Sequence, residues 1–183
     1  MFSRLILAAT SPLSLRTPEA RLSWQVLLAA AAAVMTVTLA CIVPFAAMAT
    51  LASRTLSRRA AILTLLAAVL ANQAVGFVVL NYPRTLESVL WGPVFALATL
   101  AAFAVSDLIR RNVPALIAGF AAYQGVLAAY TFANSRSLAD FTPSIVGQVA
   151  LGNLIGLAIL SAVYCAVVAI ERTADQRHAG ATR

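Results

Sequence analysis

The chain has 183 residues, of which 62% are hydrophobic and only 10% charged, with a mean hydropathy of +0.91. Soluble domains carry roughly 25% charged residues, so this composition excludes an ordinary soluble domain and points to lipid as the solvent. The net charge of +7 comes entirely from arginine; the arginines sit in short linkers and form no basic, aromatic-laced stripe, which excludes a nucleic-acid partner and reads as topology signal and headgroup contact.

The chain opens with an arm over residues 1–23, whose short apolar run is broken by Ser11-Pro12 and is a poor signal peptide. Five stretches then reach the roughly 20 residues that a hydrocarbon core requires: Trp24–Leu51, Ala60–Leu80, Leu86–Ile109, Val113–Phe132 and Ser144–Ile170. Pro44 should kink the first span, and Gly92-Pro93 should kink or loosen the third. Thr85 is placed to cap the third span, with Glu87 in its first turn. Cys41 and Cys165 lie within apolar spans and read as small core residues. A tail over 171–183 closes the chain. The expected fold is all-α, a polytopic transmembrane helix bundle of about five spans in one domain over residues 1–183. A sixth membrane element arises if the N-terminal arm supplies a short one.

Arginine counting gives the orientation. Arg54, Arg58, Arg59, Arg110, Arg111, Arg172, Arg177 and Arg183 fall on one side; Arg4, Arg16, Arg21, Arg84 and Arg136 fall on the other. The positive-inside rule then places the C-terminus in the cytoplasm and the N-terminus outside, in a cell inner (plasma) membrane.

Polar side chains inside hydrocarbon are costly, so their positions are informative. Asn72, Gln73 and Gln124 come out near the midplane, Asn153 midway or slightly outward, and Trp91 within about two turns of the external end. Tyr123 adjoins Gln124. The inner half reads as almost purely Ala, Leu, Val and Ile. Neutral amides donate and accept hydrogen bonds without charge, which suits a small polar or zwitterionic solute in an outward pocket lined by Asn72, Gln73, Trp91, Tyr123, Gln124 and Asn153. The same amides can instead bond helix to helix, and Gly152-x-x-x-Gly156 marks a helix-packing face. Amides from three helices converging on one cavity would favour the pocket.

The absences exclude most catalysis. With no lysine there is neither a Walker A loop nor a Schiff-base residue. The single histidine, His178, cannot build a histidine-rich metal or bis-histidine haem site. No pair of carboxylates lies within the spans to share acid–base work. The expectation is therefore no enzyme, no cofactor and no metal.

In size, hydrophobicity, outward amides and an Ala-rich first helix with Ala29 and Ala33 at small-xxx-small spacing, the chain resembles the membrane-embedded substrate-capture subunits of energy-coupling factor transporters. The resemblance covers the general plan of the whole chain. It implies six helices, where five spans are read here, a vitamin or metal-related solute, and a separate ATPase or coupling module as partner. Two functions follow: a solute-binding transport subunit energised by a partner, or a non-catalytic structural or assembly subunit of a larger membrane complex.

Overall fold

A computed structural model of the chain describes residues 15, 17–39, 43–109, 111–135 and 141–181. Arg4, Arg16, Cys41, Arg110, Arg136 and Arg183 lie outside these residues, as do the arm up to Ser14 and the side chains of Arg177 and His178. The described residues form six helices: α1 Pro18–Leu39, α2 Phe45–Thr55, α3 Arg58–Val78, α4 Leu86–Leu108, α5 Asn112–Ser135 and α6 Pro143–Ala181. All but α2 are long and apolar enough to cross a membrane, and the chain is a multi-pass, all-helical membrane protein. Large apolar side chains such as Leu70, Leu97, Ile117 and Ile170 point outward, while the centre combines many alanines with leucines, valines and a few aromatics. This inverts the soluble pattern, as expected where the surroundings are as apolar as the core.

Local signals set the helix ends. Pro18 opens α1 where its missing N–H costs nothing, and Thr17 Oγ1 accepts from the Ala20 N–H at 3.2 Å. Thr85 Oγ1 accepts from the Ser88 N–H at 3.3 Å and caps α4. After α3 the chain turns through Asn81, which is in the left-handed region (φ 54°) that Asn tolerates well. Tyr82 then folds back over Gly76, where a Cβ would come within 2.7 Å of the Tyr82 ring.

The first expected span is two elements, and they run in opposite directions. Trp24 Nε1, near the start of α1, donates to Thr55 Oγ1 at the end of α2 at 3.0 Å. The chain therefore reverses between Leu39 and Val43. Among the described residues a sixth membrane element comes from this break; the N-terminal arm up to Ser14 lies outside them. With 11 residues, α2 is about 16 Å long, half the thickness of a hydrocarbon core. Every residue from Phe45 to Ala52 is buried, among α3, α4, α5 and α6.

The remaining directions follow from contacts. Thr50 Oγ1 meets Ser106 Oγ at 3.1 Å, and Arg54 Nη2 donates to the Ser106 and Ile109 carbonyls. The ends of α2 and α4 thus lie together and the two helices run parallel. Ser106 Oγ donates to the Ala115 carbonyl, and the Trp91 and Tyr130 rings meet at 5.1 Å at the opposite end, so α4 and α5 form an antiparallel pair.

This reversal corrects the expected topology. The Thr17 N–H donates to Glu171 Oε1 at 2.7 Å, which puts the start of α1 and the last third of α6 at the same end of the bundle. Arg21, counted above on the other side, joins Arg54, Arg58, Arg59, Arg111 and Arg172 there, leaving Arg84 alone at the opposite end among the described arginines. The physical reason is the extra half-span, which turns five alternating elements into six, so that the start of the first and the end of the last fall at the same end. Two bounds also move: α1 begins at Pro18, within the segment read as arm, and α6 continues helically to Ala181, through the segment read as tail.

Candidate functional site

One of the expected site residues, Asn72, holds α1 to α3, and its neighbour Gln73 supports it. Asn72 Nδ2 donates to Thr36 Oγ1 at 2.8 Å in a buried bond, and Gln73 Nε2 donates to Asn72 Oδ1 at 3.1 Å. Interhelical bonds of this kind are worth about 0.6–2 kcal/mol in a membrane. The rest of Gln73 lines a cleft of about 430 Å³ between α3 and α4, walled by Leu66, Leu70 and Phe77 on one side and Val89, Pro93 and Ala96 on the other. Neither Gln124 nor Asn153 lines this cleft, so the amides of three helices do not meet there.

Asn153 serves the half-helix. Its Oδ1 accepts from the Ala47 N–H at 3.0 Å, and its Nδ2 donates to the Val149 carbonyl at 2.9 Å. Ala47 is the third residue of α2, where a capping side chain normally accepts; here a residue 106 positions away supplies the cap. One turn beyond Asn153, Gly156 is buried, and a Cβ on it would lie 2.6 Å from the Pro44 ring carbons. Gly156 thus makes the space that Pro44 occupies. Gly152 lies half-buried on the same helix.

Aromatic rings connect the start of α2 to the end of the bundle opposite the arginines. Phe45 lies 6.4 Å from Tyr123 and 6.2 Å from Phe95, Phe95 lies 5.5 Å from Trp91, and Trp91 packs edge-on against Tyr130. These spacings fall in the range in which ring pairs attract. Trp91 and Tyr123, named from sequence, are therefore brought into one chain of rings by Phe45 and Phe95, which were not. Gln124 is half-buried beside Tyr123.

The half of the bundle expected to be purely aliphatic holds a seam of hydroxyls between α2, α4 and α5. Thr50 and Ser106 meet there, and Ser106 reaches the Ala115 carbonyl. Gly119 lets α5 approach this seam closely, since a Cβ on it would collide with Ser106 Oγ. Two turns along α4 from Ser106 lies Thr99, which is 1% exposed with its Oγ1 unpaired. Sequence reading misses this seam because most helix hydroxyls bond their own backbone four residues back, as Thr36, Thr50 and Thr64 do. The one available signal is the seven-residue spacing of Thr99 and Ser106, which places both on one stripe.

The register puts these groups at one depth. Because α2 and α4 run parallel and Thr50 is level with Ser106, Thr99 is level with the start of α2. Tyr123 and Asn153 touch α2 at Phe45 and Ala47. Tyr123 of α5 and Asn153 of α6 thus meet the N-terminal end of the half-helix, and Thr99 lies on the α4 stripe of Ser106, two turns nearer that level. Asn72 bonds α1 twelve residues beyond Trp24, at a similar depth on the far side of α3. The chain matches no known protein-family model, no curated protein and no solved structure.

Proposed function

We propose that this chain is the solute-binding subunit of a membrane transport system for a small polar or zwitterionic solute, energised by a separate partner. The observation that carries the reading is α2, a half-helix that begins at mid-depth and is enclosed on all sides. Non-helical backbone at membrane depth is tolerated where protein buries it or where it lines a cavity. Transporters place discontinuous helices of this kind at their binding sites. Six membrane elements also agree with the resemblance to substrate-capture subunits of energy-coupling factor transporters. No charged residue falls between Arg21 and Arg54, Arg59 and Arg84, Glu87 and Asp107, Arg111 and Arg136, or Asp140 and Glu171. Ion-driven carriers place such residues at mid-depth, so a partner, such as an ATPase with its coupling subunit, supplies the energy. On this reading the arginine end, with Thr17 and Glu171, faces the cytoplasm of a plasma-membrane protein.

A second reading has a specific observation in its favour: Asn72 and Asn153 are both engaged with neighbouring helices, as in a structural subunit of a larger complex. Thermal unfolding of the purified protein with a panel of amino acids, vitamins and cofactor precursors separates the two. A solute present at 100 times its dissociation constant adds about 2.7 kcal/mol, a clear rise in midpoint. If nothing in the panel stabilises the protein, and it purifies in fixed ratio with other membrane subunits, the structural reading replaces this one.

A further inference from the structure

We propose that the cleft between α3 and α4 binds a membrane-dissolved, apolar molecule through a single hydroxyl, held between the Val89 carbonyl and the Gln73 amide. The cleft lies apart from the half-helix, and the proposal does not depend on the solute-binding reading.

Pro93 supplies the acceptor. In an α-helix each carbonyl accepts from the N–H four residues on, and proline has no N–H to give. Pro93, inside α4, therefore denies the Val89 carbonyl its helical donor. Val89 and Pro93 share one face of the helix, and both line the cleft. Helix carbonyls point toward the C-terminal end, so this one points from Val89 toward the turn at Pro93, along the cleft wall. Prolines are tolerated in transmembrane helices where neighbouring groups satisfy the freed carbonyl. Among the residues that line the cleft, Gln73 alone has a polar side chain, and its hydrogen bond goes to Asn72.

Gln73 supplies a donor at the same level. A Cβ on Gly92 would lie 3.5 Å from both Gln73 Cγ and Gln73 Oε1, so this side chain reaches the turn between Val89 and Pro93. Its Nε2 carries two protons. One goes to Asn72 Oδ1, and the second is left for a ligand. A freed acceptor and a spare donor thus stand at one level of one cleft. A hydroxyl both donates and accepts, so it completes the two at once. A bare acyl chain would fill the walls and leave both groups unmet.

The walls define the rest of the molecule. The cleft holds about 430 Å³, within the range of small-molecule sites, and apart from Gln73 its side chains are apolar. Leu70 on one wall and Val89 on the other are 69% and 51% exposed, within helices long and apolar enough to span the membrane. The cleft therefore opens sideways to lipid, and its ligand arrives through the bilayer.

The test uses the full chain in phosphatidylcholine nanodiscs, with tritiated 1-dodecanol and farnesol as probes and empty nanodiscs to subtract partitioning. The methyl ethers of both alcohols, which cannot donate, serve as competitors. The expected result is saturable alcohol binding that the ethers displace about tenfold less readily than the unlabelled alcohols. Pro93→Ala returns an N–H to the Val89 carbonyl, and Gln73→Leu removes the spare donor. Each weakens alcohol binding about tenfold and leaves ether binding unchanged. Pro93→Ala keeps the helix continuous, so it decides the matter even if Gln73→Leu fails to fold. Equal displacement by the ethers overturns the proposal, since the cleft would then merely hold acyl chains. Wild-type affinity in either variant overturns it, as does an equal loss for alcohol and ether in Pro93→Ala, which would show that shape alone had changed. Absence of saturable binding, as when a second copy or a partner helix fills the cleft, also overturns it. The solute-binding reading stands or falls separately, on the unfolding panel above.

Discussion

Two prolines interrupt apolar spans in this chain, and they have opposite consequences. At Pro93 the helix continues, and α4 runs unbroken from Leu86 to Leu108. Ahead of Pro44 the chain has reversed after the end of α1 at Leu39, and a new helix begins directly after the proline, at Phe45. Proline removes the same N–H and crowds the same preceding carbonyl in both places. The surroundings decide the outcome. Pro44 has a seat made by Gly156, and the helix after it has a cap supplied by Asn153. Pro93 lies exposed at the edge of the α3–α4 cleft, with Gln73 and Phe77 on the other wall and no comparable cap. A proline weakens a transmembrane helix, but the chain reverses there only if a neighbour satisfies the backbone groups that are set free.

Gly156→Leu should break this comparison most strongly. The Pro44 ring already occupies the space of the first added carbon, so about 3 kcal/mol of stability, or folding altogether, should be lost. Thermal unfolding in detergent would show it, and a wild-type midpoint would mean that Gly156 faces lipid. Gly152→Leu, at a half-buried position, should cost clearly less. Asn153→Ala comes next. It leaves the Ala47 N–H buried without an acceptor, at a cost of about 1–3 kcal/mol. Hydrogen exchange should speed up in α2 before α3 or α4, whereas uniform loosening would argue against a local cap. Pro93→Ala should have the smallest effect. It restores one backbone donor in a helix that is already continuous, so stability should stay level or rise by about 1 kcal/mol at most. A large loss there would show that Pro93 shapes its surroundings as Pro44 does.

These two sites also show how far the sequence could be read. Spans three to six of the bundle are legible because hydropathy and length report lipid exposure, and α3 to α6 lie close to the expected ranges. The reversal at Pro44 is not legible, because hydropathy carries no direction and the cap that permits the break lies 106 residues away. The amides illustrate the same limit. Their depth along each helix follows from counting residues, and Asn72 and Asn153 are indeed buried. Their partners depend on which face each helix turns toward its neighbour. Hence Asn72 meets Thr36, Asn153 meets the Ala47 N–H, and neither lines the α3–α4 cleft. Thr99 went unread because a threonine in an apolar helix normally bonds its own backbone; only the three-dimensional arrangement shows this hydroxyl unpaired.

The central claim is that the chain reverses between Leu39 and Val43, so that residues flanking α1 and α6 share one side of the membrane. Single cysteines at Glu19 and Thr173, both exposed, test it most directly once Cys41 and Cys165 have been replaced by alanine. A third variant at Arg84 marks the opposite end. Treating intact cells with a membrane-impermeant thiol reagent should label the Arg84 position and spare both others, and opening the membrane should expose Glu19 and Thr173 together. If Glu19 and Thr173 are labelled from opposite sides, the first span crosses without reversing, and the half-helix and everything built around it must be abandoned.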